Sequence, residues 1–126
     1  MRIPLVPGVV AIMAAAACPA AAATPDPQTL PGAHVWQARC SSCHALDANK
    51  IGPMHRGVYG RAAGTAPGFG YSAGMKPSGI VWNDHTLDQW LQGPQKMVKG
   101  ARMYVTLADP ADRTAVIAYL KAVSGK

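Results

Sequence analysis

Five consecutive residues, Cys40-Ser41-Ser42-Cys43-His44, hold the densest chemistry in the chain. Two cysteines separated by two residues, with a histidine directly behind, read as an attachment site for a c-type haem. The spacing has a physical reason. Two thiols add across the two vinyl groups on one edge of a porphyrin, and a two-residue spacer lets one turn of backbone reach both. The histidine is then carried beneath the ring, where an imidazole nitrogen can bind iron. Three other chemistries compete for the pattern. A redox dithiol does not need the histidine and favours a βαβ setting, for which this chain has no signal. A zinc site needs two further ligands at matching spacing, and no second cysteine pair follows. A structural disulfide across two residues is unusual in geometry.

The motif needs an element to carry it, and Pro31 to Arg39 has the pattern of a short helix. Pro31 is admissible in a first turn, and Ala33, Trp36 and Cys40 recur at i, i+3 and i+7 on one face. Trp36 is thereby a packing residue, and Cys40 leaves the helix on the same side. Behind the motif, residues 52–79 carry eight glycines in 28 residues, with Pro53, Pro67 and Pro77 among them. A structureless stretch of that length is uncommon in a compact domain unless it has a function. Wrapping a flat, rigid cofactor is one such function, because glycine lets backbone come close to a ring. Tyr59, Arg61, Phe69, Tyr71 and Trp82 lie within this stretch or just beyond it.

A second helix is predicted over Asp84 to Gln92, capped by Asn83 or Asp84 and stopped by Gly93-Pro94, with Leu87, Trp90 and Leu91 as its apolar face. A loop from Pro94 to Met103 follows. The last helix has the clearest signals: Asp109 as cap, Pro110 at the first position, Asp112 adding negative charge to the first turn, and Gly125 after the end. Val116, Ile117, Tyr119, Leu120 and Val123 are its apolar set. No repeat and no strand signal compete, so the reading is one all-α domain.

Residues 1–23 read as an export signal and not as part of the fold. Arg2 gives a positive start, Ile3 to Ala23 carries no charge, and Ala21-Ala22-Ala23 before Thr24 fits a small-residue cleavage site. The apolar run is about long enough to span a bilayer. It is nevertheless built from alanine and interrupted by Pro4, Pro7, Gly8 and Pro19, which favours cleavage over a retained anchor. Cys18 lies inside it, but Ala15 stands where a lipid attachment site would want a larger aliphatic residue. The remaining domain, 24–126, has 103 residues and keeps only Cys40 and Cys43. Exported domains of this size often rely on disulfides; here both cysteines are committed to a cofactor, which must do the stapling.

Thr24 to Leu30 is a polar, proline-rich lead-in. Without Arg2, eleven basic residues face six acidic ones, a balance of +5 with the histidines His34, His44, His55 and His85 neutral. A basic surface favours an acidic partner. Nucleic acid fits poorly, because an exported chain rarely meets it and no basic run is interleaved with aromatics.

In order and spacing, a set of segments resembles the class I cytochromes c, of the mitochondrial and soluble bacterial type, over nearly all of 31–123. They are Gly32 and Trp36, the Cys40–His44 motif, Gly52-Pro53, Gly57-Val58-Tyr59-Gly60-Arg61, Ala66-Pro67-Gly68-Phe69-Gly70-Tyr71, Gly79-Ile80-Val81-Trp82, Lys99-Gly100-Ala101-Arg102-Met103 and Ala118-Tyr119-Leu120-Lys121. The resemblance implies a small all-α fold, three main helices plus loops wrapped around one haem c bound covalently through Cys40 and Cys43. It implies that His44 is the proximal iron ligand and that the Pro53 carbonyl accepts its other ring N–H, a bond that fixes the tautomer and strengthens the ligand. Arg61, Tyr71 and Trp82 resemble the donors that hold the inner haem propionate, and a buried carboxylate does need such donors. Gly32, Trp36 and Tyr119 resemble the crossing of the first and last helices.

The sixth iron ligand must come from a distant segment, since the ring separates it from His44. Among Met54, Met75, Met97 and Met103, the last lies 59 residues beyond His44 in a Gly100-x-x-Met103 pattern, and it is the ligand the resemblance implies. A thioether opposite an imidazole favours ferrous iron and raises the potential. The chain departs from the family pattern at Lys99 (usually proline), Ala101 (threonine), Trp90 (tyrosine), Met75 (asparagine) and His55 (leucine). These changes are expected to remove several hydrogen bonds from the Met103 side.

The implied function is that of a periplasmic, single-haem electron carrier, not an enzyme, passing one electron between redox partner proteins. Those partners are expected to have acidic docking surfaces that meet Arg39, Lys96, Lys99 and Arg102 around the haem edge. A monomer, free of the membrane once the signal is removed, completes the expectation. The rival readings are a cytochrome subunit of a larger oxidoreductase, and a haem peroxidase or gas-binding protein with a labile methionine.

Overall fold

Each main helix lies where its start and stop chemistry puts it in the computed structural model, which describes residues 20–126. Most of the expected export signal, 1–19, is outside the described residues. Four α-helices follow in order: α1 (Pro31–Arg39), α2 (Asp84–Gln92), α3 (Pro94–Met97) and α4 (Pro110–Val123), with one-turn 3-10 segments at Pro27–Thr29 and Lys76–Ser78. Asn83, not Asp84, caps α2. Its Oδ1 accepts from Thr86 N–H at 3.0 Å while Thr86 Oγ1 accepts from Asn83 N–H at 2.9 Å, a reciprocal pair that satisfies two orphan donors. Asp109 Oδ1 caps α4 by accepting from Ala111 N–H at 2.8 Å.

The segment expected as a plain loop from Pro94 to Met103 begins instead with the single turn of α3. Gly93 is extended and breaks the run from α2; Pro94 then restarts it with its preset φ, and Val98 N–H closes the turn on Pro94 O at 2.9 Å. Among the described residues, strand pairing is limited to one antiparallel bridge between Ala62 and Val81, so the all-α reading holds. None of the described helices is long and apolar enough to cross a membrane.

The core is built on the crossing of α1 and α4. Ala33 and Trp36 from α1 are buried with Val116, Ile117, Tyr119, Leu120 and Val123 from α4. Trp36 and Tyr119 pack with ring centroids 5.9 Å apart. The helices meet this closely because Gly32 has no side chain: a Cβ there would stand 1.9 Å from Ala115 O. Leu87 and Leu91 of α2 extend the same core toward Val98 and Leu107.

A buried cation ties the second half of the chain together. Arg113 on α4 donates from Nε to Asp88 Oδ1 at 2.7 Å and from Nη1 to the Leu107 and Ala108 carbonyls, both at 2.9 Å. Nothing in its spacing sets it apart from the surface basic residues, and sequence reasoning passed over it. Its hydrogen bond holds the Asp88 carboxyl below the usual carboxylate range. Together with Leu107 N–H donating to Leu91 O at 2.8 Å, these bonds anchor the far end of the segment that carries Met103.

Candidate functional site

Helix α1 runs straight into the attachment motif. Cys40 N–H and Ser41 N–H both donate to Trp36 O, and Cys43 N–H and His44 N–H both donate to Cys40 O, at 3.1 and 2.9 Å. One continuous turn therefore carries both thiols, as the two-residue spacing requires. Both cysteines are free, Cys40 buried and Cys43 half-buried. Burial pushes the Cys40 thiol up to about 11, with Arg39 opposing and Cys43 adding to the rise. At neutral pH it is a thiol rather than a thiolate. Among the described residues there is no group of three or more His, Cys, Asp or Glu side chains that could hold a metal ion.

His44 is buried with its Nδ1 2.7 Å from Pro53 O. A carbonyl only accepts, so Nδ1 carries the proton and Nε2 keeps its lone pair. Burial holds the His44 pKa below the ordinary histidine value, against the Pro53 hydrogen bond and with help from Lys50. The ring is neutral and suited to bind a metal. Gly52 makes room for it, since a Cβ at that position would lie 2.2 Å from Cε1 and within 2.7 Å of both ring nitrogens. The expected His44–Pro53 pair is thus present, and Gly52 is a third member that only the geometry reveals.

The glycine-rich stretch folds back so that Arg61 and Trp82 meet. Gly60 N–H donates to Trp82 O at 2.6 Å and Trp82 N–H to Arg61 O at 3.0 Å. Arg61 Nη2 donates to Met54 O at 2.9 Å, but its Nε is buried without any partner. Burial lowers the Arg61 pKa and the neighbouring Tyr71 counteracts it. The Tyr71 hydroxyl accepts from Ala66 N–H at 3.0 Å, which leaves its own proton to donate elsewhere. An orphaned buried guanidinium donor is costly, about 1–3 kcal/mol, and calls for an acceptor the protein does not supply. A cofactor carboxylate would meet that need, so Arg61, with Tyr71 beside it, fits a haem propionate, while Trp82 is buried next to Arg61 and tied to it through its backbone.

Met103 is half-buried on the segment that follows α3. Trp90 Nε1–H donates to Met103 Sδ at 3.1 Å, and the Trp90 ring stands edge-on to Trp82 with centroids 5.3 Å apart. The expected loss of hydrogen bonds on this side is therefore only partial: the indole supplies one to the sulfur. Gln95 supplies two more, from Nε2 to Met103 O at 2.6 Å and to Ala101 O at 3.2 Å. No sequence signal marks Gln95, because a surface glutamine becomes a loop clamp only through the turn of α3. Met75 is buried in the core, and Met97 packs against it.

A family model described as Cytochrome c matches residues 30–124. The chain is 40% identical over 94 residues to the cytochrome c of Gibberella zeae, covering 71% of this chain and 89% of that protein. It is 44% identical over 87 residues to cytochrome c2 iso-2 of Magnetospirillum fulvum, covering 67% of this chain and 91% of the relative. Its fold is similar to that of cytochrome cH from Methylobacterium extorquens, with a TM-score of 0.69 at 38% identity over 72% of this chain and 94% of the other. The chain belongs to the cytochrome c family: it is a single-haem electron carrier and not an enzyme, its c-type haem bound covalently with Cys40 and Cys43 as the attachment cysteines, and its partners are redox proteins.

Proposed function

We propose that this carrier works with His44 Nε2 and Met103 Sδ as its axial iron ligands, in the periplasm, after removal of residues 1–23. The observation that carries the reading is the His44 ring, whose Nδ1–H is committed to Pro53 O at 2.7 Å so that Nε2 is the nitrogen left to bind. Cys40 and Cys43 hold the porphyrin edge, and Arg61, Tyr71 and Trp82 face the inner propionate. Trp90 donates to one sulfur lone pair of Met103 and leaves the other for iron. When bound, the haem supplies a one-electron iron couple. The protein's part is to keep both ligands in place in both oxidation states and to exclude water from the ring. No substrate site and no proton transfer are needed. Support for export comes from Arg2 followed by the uncharged run from Ile3 to Ala23 and the small residues before Thr24.

The ligand set is tested by two methionine variants. Met103→Ala is expected to abolish the far-red methionine–iron charge-transfer band of the ferric protein, lower the potential and raise peroxide reactivity. Met97→Ala should keep the band. Loss of the band in Met97→Ala alone would reassign the sixth ligand.

The partners in this reading are monomeric encounters with an acidic surface. Lys96, Lys99 and Arg102 are exposed on and beside the methionine segment, and none is in an ion pair among the described residues. Lys121, by contrast, lies 3.8 Å from Asp84 and over the Tyr59 ring. Charge steering of this kind raises association rates by about 10- to 1,000-fold and is screened by salt. With an acidic redox protein, the second-order electron-transfer rate should fall as ionic strength rises. Reversing Lys96 and Lys99 to glutamate should flatten that dependence, whereas reversing Lys121 and Lys126 should leave it nearly intact. Equal effects from both pairs would mean that net charge alone governs the rate.

A further inference from the structure

His55 occupies a position where filling space does not require an imidazole, yet its ring is placed with care. It stacks on the His44 imidazole with centroids 3.9 Å and planes 25° apart. The stacked ring is itself anchored. Trp36 Nε1–H donates to His55 Nδ1 at 2.8 Å, and because an indole nitrogen only donates, His55 Nδ1 is the acceptor and its proton sits on Nε2. Trp36 in turn is buried against Tyr119 where α1 crosses α4. A continuous line of rings thus runs from the helix crossing to the ligand.

The Pro53 hydrogen bond fixes the direction of the His44 Nδ1–H vector, but not the plane of the ring around that vector. A flat neighbour stacked on the face does fix the plane. Taking His44 as the iron ligand, as above, we propose that His55, anchored by Trp36, is a positioning residue that sets the plane of the His44 imidazole and hence its orientation over the haem. An aliphatic side chain would fill the same space without defining a plane.

In ferric low-spin iron, the axial imidazole plane selects the orbital that holds the unpaired electron. The paramagnetic shifts of the four haem methyl groups and the anisotropy of the EPR signal therefore report it. The experiment uses ferric holoprotein with His55→Leu, Trp36→Phe and the two combined, with thermal midpoints measured in parallel. We expect both single variants to reorder or re-space the methyl resonances, the double variant to go no further than His55→Leu, and the far-red band to persist throughout. The proposal is overturned if His55→Leu keeps the wild-type methyl pattern and EPR signal, even with a changed thermal midpoint, since the residue then acts through packing alone. It is also overturned if Trp36→Phe keeps the wild-type pattern while His55→Leu does not, since the anchor then plays no part. A wild-type protein whose spectrum lacks an axial imidazole would overturn the ligand assignment, and this inference with it. Unchanged patterns in variants with intact ligation overturn the inference alone.

Discussion

Cys40→Ala combined with Cys43→Ala is expected to yield a chain with neither cofactor nor cooperative fold. Three of the four helices have nine residues or fewer, and helices shorter than about 12–15 residues are marginal in water without tertiary packing. The packing available is thin. Small alanine and valine side chains make up much of the buried core, in which Trp36, Trp82 and Tyr119 are the buried Phe, Tyr or Trp side chains among the described residues. Residues 52–79 contribute turns, one short 3-10 segment and one end of a single bridge. A domain of about 100 residues retains its usual 5–15 kcal/mol only by burying most of its apolar surface. Without the haem, that surface is not covered, and Arg61 keeps a buried donor with no acceptor. Circular dichroism and calorimetry of the variant should show low helix content and no heat-absorption peak. A sharp two-state transition in the apo chain would show that the helices alone form a sufficient core.

Gly32→Ala is expected to destabilise the holoprotein by about 3 kcal/mol or more, at the upper end for overpacking. The new methyl would lie 1.9 Å from Ala115 O, 2.5 Å from Ala115 C and 2.9 Å from Tyr119 Cβ. Two of these atoms are helix backbone and cannot swing aside, so α1 and α4 must separate. The better helix propensity of alanine returns at most about 1 kcal/mol, too little to offset the clash. The thermal midpoint should drop by more than about 10 °C. Gly70→Ala is the control: a Cβ there meets nothing within 4 Å, and the expected change is within about 0.5 kcal/mol. Similar midpoints for the two variants would mean that the helix crossing relaxes freely.

What could be read from the sequence was local. Proline at first positions, Asp109 before Pro110 and the apolar spacing of α4 placed the helices, because those signals act within one or two turns. Choosing between Asn83 and Asp84 needed the side-chain bond to Thr86, which depends on where the helix begins. The attachment motif was legible because it is contiguous, whereas the His44–Pro53 bond was expected only through the family resemblance. The contacts that sequence reasoning missed join distant segments. His55 finds His44 and Trp36 only after the chain turns at Gly52, and Arg113 finds Asp88 on α2, 25 residues back in the chain. Trp90 shows the difference most directly. As a departure from the family pattern it read as a lost hydrogen bond, whereas its longer reach places an N–H on the sulfur.

The ties at the two ends of the Met103 segment have a kinetic consequence. Val98 N–H is held by Pro94 O, and Leu107 N–H by Leu91 O with Arg113 gripping the Leu107 carbonyl. A chain held this way is a short tether between two fixed posts. If the thioether, in its proposed role, leaves the iron, it stays at an effective concentration in the millimolar range or above. Loops of about ten residues close in about 10–100 ns. A dissolved ligand must therefore outrun a unimolecular return, and at low concentration it loses that race regardless of its intrinsic affinity for iron.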